Sequence, residues 1–265
     1  MTMGASPNQT IILVVGGNSG IGFELANQLL ADENKLVLLG CRSIVKGKAA
    51  VERLQSRNLA GSVQMIQVDI DSKESIAAAA QNIEEKYGRL DALVNSAGIA
   101  WLPDMTVEEK MMTAFRTNAV GAWLLGEAMV PLLKKSSGTA RLVNVSSGAG
   151  SVHIQLKHGA EFKSPTVHYN ASKAALNMIN AVQSTNYGPK VKVFAYCPGF
   201  TVSNLSPFCK AENGAKPTFE AVKPMLAILN GDRDAENGGF LIGGMRGREH
   251  QISRDIHVGE DQLPW

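Results

Sequence analysis

Residues 11–22 read Ile11-Ile12-Leu13-Val14-Val15-Gly16-Gly17-Asn18-Ser19-Gly20-Ile21-Gly22. The first five are apolar without interruption, as in a strand buried on both faces of a parallel sheet. Glycines at 16, 20 and 22 follow directly and open a stretch of helical period. Glycine there permits a tight turn and lets the backbone approach a pyrophosphate, which the N–H groups and dipole of the next helix attract. Glycines also punctuate ordinary turns, so the loop gains its meaning from what surrounds it.

Outward from this unit the same alternation repeats. Apolar runs of strand length fall at 11–15, 36–40, 63–68, 92–95, 141–145, 191–196 and 240–242, and helical periods at 22–30, 44–56, 73–87, 107–133, 166–186 and 218–229. Strands alternating with helices predict an α/β fold, a doubly wound (Rossmann) seven-stranded parallel sheet flanked by helices. Residues 147–165, 199–217 and the tail after 243 read as irregular. Loops at the carboxyl ends of the strands build the crevice of such a sheet, so the first two are where substrate contacts are expected.

The 265 residues are 45% apolar and 19% charged, which suits an ordered globular chain. Nothing divides them, so 1–265 reads as a single domain, with an insertion near 148–168 and a tail near 246–265. Lys and Arg (26) nearly balance Asp and Glu (24), which argues against nucleic-acid or membrane-surface partners. Cys41, Cys197 and Cys209 stand singly, without disulfide or zinc spacing, so no metal is expected. Residues 1–10 carry no signal-peptide pattern, and the expected location is cytoplasmic.

The spacing Gly-x-x-x-Gly-x-Gly resembles that of the short-chain dehydrogenase/reductase family, and the resemblance, carbonyl-reductase-like in type, covers about residues 10–245. It implies that Gly16, Asn18, Ser19, Gly20, Ile21 and Gly22 hold the cofactor's pyrophosphate side. Val15 stands where Thr is usual. The second strand ends Gly40-Cys41-Arg42, with Cys41 where NAD-preferring members carry an acid. No carboxylate would repel a 2′-phosphate there and Arg42 can pair with one, so NADP(H) is the expected cofactor. The plain alternative makes Arg42 a solvated residue after a strand. Asp69 and Ile70 stand where the family contacts adenine; two carboxylates, Asp69 and Asp71, would make a poor metal cage. Asn95-Ser96-Ala97-Gly98 resembles the family's Asn-Asn-Ala-Gly element, whose first Asn is also credited with holding the sheet; Asn95, Ala97 and Gly98 are assigned to the cofactor.

Tyr169 and Lys173 are four residues apart and share a helix face. A phenol titrates near about 10, and a neighbouring cation favours its phenolate, which serves proton transfer in either direction. Such pairs are common by chance. Here the fifth strand runs into Ser146-Ser147, whose second member matches the family's serine, a donor to a carbonyl oxygen or developing alkoxide; the alternative is a turn cap. Asn118, inside the long helix, stands where the family has an Asn holding a water that links the lysine to solvent. Pro198, Gly199, Thr201 and Ser203 resemble the element closing over the nicotinamide, with Thr201 replacing an aliphatic residue and Ser203 a Thr. Ser147, Tyr169, Lys173 and Asn118 are therefore the expected catalytic set, with Tyr169 and Lys173 also contacting cofactor and a small carbonyl or alcohol as substrate.

Twenty-two positions separate Ser147 from Tyr169, and the insertion carries His153, His158, Phe162 and His168, which either shape a pocket for an aromatic or polyketide-like substrate or are solvated. Trp101, Phe200 and Phe208 are candidates for apolar walls or loop packing. Met111, Met112, Met129 and Trp123 read as core or oligomer contacts, and a homodimer or homotetramer is implied by likeness. Two other functions stay open: reduction of an imine or conjugated C=C bond, and an NADP(H)-sensing partner protein without turnover.

Overall fold

Thr10–Val15 (β1) lies at the middle of the sheet with Ile11 to Val15 at most 2% exposed. The computed structural model describes residues 9–158, 166–243 and 262–265. After β1 come Gly20–Leu29 (α1), Lys35–Cys41 (β2), Ile44–Gln55 (α2), Ser62–Gln67 (β3), Lys73–Tyr87 (α3), Ala92–Asn95 (β4), Val107–Phe115 (α4), Gly121–Leu133 (α5), Ala140–Val145 (β5), Val152–His158 (α6), Val167–Asn186 (α7), Val191–Cys197 (β6), Thr218–Asn230 (α8) and Phe240–Ile242 (β7).

The strands pair in parallel in the order β3-β2-β1-β4-β5-β6-β7. Alternate residues of β1 feed two cores. Ile12 and Val14 pack with α1, α2 and α8, and Ile11, Leu13 and Val15 with α3 and α5. The chain therefore changes faces between β3 and β4, and β4 returns beside β1. That reversal is the topological switch point of a doubly wound sheet, with a crevice at the carboxyl ends of the strands. Val15 pairs with Asn95 and Asn95 with Asn144, so the loops after β1, β4 and β5 leave at one level.

Three expectations change. The long helix read over 107–133 is interrupted by a π-helical segment, Arg116–Val120, which buries Thr117, Asn118 and Ala119. One extra residue in a turn shifts the face a helix presents, and the apolar period alone does not reveal it. Within 147–165, read as irregular, lie a 3₁₀ turn at Gly148–Gly150 and α6. Its alternating Val152-His153-Ile154-Gln155-Leu156 conceals a helix that Ser151 starts, accepting the Ile154 N–H at 3.1 Å. The tail's final residues return to the sheet: Leu263 N–H donates to the Phe240 carbonyl (2.7 Å), and Trp265 stacks on Phe240. Phe162 and tail positions 246–261 lie outside the described residues. Among the described residues no helix is long and apolar enough to cross a membrane.

Candidate active site

The glycine loop is fixed by close approach. Gly16 has φ +80°, and a Cβ there would lie 2.8 Å from the Ala97 nitrogen; a Cβ on Gly22 would lie 2.6 Å from the Gly16 carbonyl oxygen. The loop is thus pressed between its own helix and the Asn95-Ser96-Ala97-Gly98 turn. Ser19 occupies the N-cap of α1 without a side-chain capping bond, and no acid stands in the first turn. An anion is the natural partner of such a helix end. Ile21 packs against the core, and Asn95 Oδ1 is buried at the switch point with no hydrogen-bond partner among the described residues.

At the end of β2, Cys41 is buried beside Asn18, whose backbone is hydrogen-bonded to it. Burial raises this thiol to about 11, so it is neutral. The Arg42 side chain is exposed there. Ser43, not singled out in the sequence, caps α2 by accepting from Lys46 N–H; its position before a helical run was the available signal. Asp69 Oδ1 accepts from Asp71 N–H (3.1 Å), and Thr117 donates to Asp71 Oδ2 (3.1 Å), so both carboxylates organise the loop after β3. Ile70 is buried in the core. Among the described residues no three His, Cys, Asp or Glu side chains are grouped to hold a metal ion.

Ser147, Tyr169 and Lys173 come together at the end of β5. The 3₁₀ turn after Ser147 lies against α7 so closely that a Cβ on Gly150 would be 2.6 Å from the Lys173 backbone. Ser147 Oγ accepts the Ala149 N–H (3.2 Å), capping the 3₁₀ turn, and the same hydroxyl acts on the Tyr169 phenol to favour its ionised form. Ser146 faces inward and donates to Asn177 Oδ1 (2.6 Å), leaving its neighbour alone to face the phenol. Lys173 Nζ donates to the Val145 carbonyl (2.8 Å) and lies 5.8 Å from the Tyr169 ring centroid. Burial pushes the Tyr169 hydroxyl above its ordinary value, outweighing the opposing influence of the Ser147 hydroxyl. The downward shift expected from Lys173 is therefore not what this state shows, because the phenol is desolvated and the ammonium is directed at Val145. Lys173 itself is lowered to about 8 by burial.

Asn118 has protein partners on all sides used. Ile99 N–H donates to its Oδ1 (2.9 Å), and its Nδ2 donates to Ile99 O (2.8 Å) and Ser172 Oγ (2.9 Å). Gly98 lies between this amide and Lys173: a Cβ on it would be 3.2 Å from Asn118 Oδ1 and 3.5 Å from Lys173 Nζ. His168 is buried, with Nε2 2.8 Å from Ala100 O, while His153 is exposed on α6. Sequence reasoning missed Cys197, whose Sγ accepts the N–H groups of Gly148 (3.1 Å) and Gly199 (3.4 Å) and so ties the loop after β5 to the loop after β6. Thr201 spends its hydroxyl on Pro198 O and Gly199 O, and Ser203 packs its Cβ toward Gly20.

A family model described as short chain dehydrogenase matches residues 10–213. The chain belongs to the short-chain dehydrogenase family. This short-chain dehydrogenase is 34% identical over 245 residues to the short-chain dehydrogenase anuI of Penicillium roqueforti, covering 90% of this chain and 95% of the relative. It is 28% identical over 276 residues to carbonyl reductase [NADPH] 1 of Sus scrofa, covering 89% and 93%. The NADPH-bound carbonyl reductase from chicken fatty liver superposes with a TM-score of 0.75 at 28% identity, covering 91% and 99%. A short-chain dehydrogenase is a hydride-transferring oxidoreductase that uses a nicotinamide cofactor, and the glycine cradle, the uncapped α1 and the open Asn95 acceptor fit such a dinucleotide.

Proposed function

We propose that this short-chain dehydrogenase reduces a small-molecule carbonyl with NADPH. The observation that carries the reading is the gathering of Ser147, Tyr169 and Lys173 at the end of β5, with Lys173 Nζ 5.8 Å from the Tyr169 ring and the phenol kept protonated by burial. A protonated phenol is an acid, so the site is poised to give a proton to an oxygen that gains negative charge. The bound cofactor supplies hydride. Ser147 and Tyr169 hold the carbonyl oxygen, Tyr169 delivers the proton, and Lys173 stabilises the phenolate left behind. Asn118 is a positioning residue: by clamping Ile99 and Ser172 it fixes the turn after β4 against α7.

The phosphates sit against Gly16, Asn18, Ser19, Gly20, Ile21 and Gly22. Arg42 and Ser43 receive the 2′-phosphate beside the neutral Cys41, and Asp69 and Ile70 border the adenine. Asn95, Ala97, Gly98, Pro198, Gly199, Thr201 and Ser203 line the rest of the path, Thr201 through the backbone. Residues 1–265 form one catalytic domain, cytoplasmic, and assemble as a homodimer or homotetramer. In support of assembly, Met112, Val120, Met178 and Val182 are exposed on α4, the π segment and α7.

The test is Tyr169→Phe with NADPH and a ketone panel, followed by loss of nicotinamide absorbance. Turnover is expected to fall at least about a hundredfold with the thermal midpoint retained. Undiminished turnover would refute the reading, and turnover of cyclic imines or enones alone would move it to those substrates.

A further inference from the structure

Two rings from different loops meet at the carboxyl-end side of the sheet. Trp101, in the loop after β4, and Phe208, in the loop after β6, contact edge to face with centroids 5.3 Å apart at 80°. Strands β4 and β6 flank β5, which delivers Ser147, so this pair spans the end of the strand carrying the serine. The first loop is tied to the residue before Tyr169, since His168 Nε2 lies 2.8 Å from Ala100 O, beside Trp101; the second is held on itself, Ser203 N–H donating to Cys209 O (3.1 Å), next to Phe208.

The fold leaves these rings in water: Trp101 is 43% and Phe208 58% exposed. Edge-to-face pairs accept a third ring readily, because the exposed faces keep their quadrupole and apolar area for it. Polar groups at the same place are few in kind. Ser147 and Tyr169 are neutral hydroxyls, and the Lys173 ammonium is engaged by Val145 O. These groups suit an uncharged carbonyl oxygen.

We propose that Trp101 and Phe208 form the recognition surface for a flat, uncharged aromatic ring, so that the substrate is an aryl or ring-fused ketone whose carbonyl reaches Ser147 and Tyr169. The inference rests on the reading of the site as a carbonyl reductase, and two measurements separate the two ideas. In the first, 1-tetralone is titrated into the NADP⁺-loaded enzyme while tryptophan emission is followed, a readout that needs no turnover. The chain has three tryptophans, at 101, 123 and 265, so comparison with Trp101→Phe isolates the first. Saturable quenching that disappears in Trp101→Phe is expected; equal quenching in both proteins, or none in the parent, overturns the recognition surface.

In the second, kcat/KM for 1-tetralone is divided by that for cyclohexanone. This ratio is expected to fall about tenfold or more in Trp101→Ala/Phe208→Ala. Both rings are exposed, and an unchanged thermal midpoint would confirm folding. Reduction of both ketones with an unaltered ratio overturns the recognition surface and leaves the reductase reading standing. Loss of quenching in Trp101→Phe without turnover of any ketone by the parent does the reverse.

Discussion

Tyr169 and Lys173 show how far spacing alone carries. Four residues along a helix place a phenol and an amine on one face, and that placement was legible. The direction of the phenol's shift was not, because it depends on desolvation by loops distant in sequence. The shift of Lys173 to about 8 sets a pH dependence. In the proposed mechanism, below that value the amine is charged and would stabilise the phenolate left when Tyr169 gives its proton; above it the amine is neutral and that stabilisation would be lost. Carbonyl reduction, read as kcat/KM, is therefore expected to be level from about pH 6 to about 7.5 and to decline beyond about 8. A rate that climbs through the alkaline range would contradict this. At the other end of the cofactor path, Cys41 is neutral and Arg42 exposed, so NADPH is expected to bind at least about tenfold more tightly than NADH. Arg42→Asp should reverse much of that preference in a fluorescence titration; equal affinities in the parent protein would remove the basis for NADP(H).

The elements divide by how local their causes are. Buried strands declare themselves through uninterrupted apolar residues, and all seven were legible to within a residue or two. The π segment was hidden because Arg116-Thr117-Asn118-Ala119-Val120 continues a helical pattern; its reason is tertiary, the demand that Asn118 face Ile99 and Ser172 together. Helix α6 was hidden by its alternating residues. It is supported from afar: His153 N–H donates to Trp265 O (3.1 Å), and Ile154 packs on the cluster of Cys197, Phe240, Ile242 and Leu263. Leu263 is thus a link between the end of the chain and the wall behind Ser147. Leu263→Ala is expected to destabilise the protein by about 2 kcal/mol, the low end for a buried leucine at a peripheral cluster. Chemical denaturation would measure it, and a midpoint equal to the parent's would mean that the tail contributes nothing.

At the scale of the whole molecule, an exposed apolar surface lies on one side of the sheet. On the α4 and α7 side, Met112 is 70% exposed, Met178 66%, Val120 50% and Val182 37%. Soft, unbranched methionines in water beside valines form an exposed apolar surface, which costs hydration free energy. A two-fold axis through this face would pair identical helices and bury the same side chains on both subunits. The sequence reading singled out Met111, Met112 and Met129 as core or oligomer contacts; Met129 is buried in the core and Met112 exposed, a difference of direction that helical period does not give, and Met178 was not singled out. Light scattering after size exclusion should accordingly report a dimer or tetramer for the parent chain. Met112→Glu/Met178→Glu places two carboxylates on each side of the contact, where desolvation and like-charge repulsion oppose association, and is expected to shift the species to monomer. A variant that elutes with the parent's mass would show that assembly, where it occurs, uses another surface.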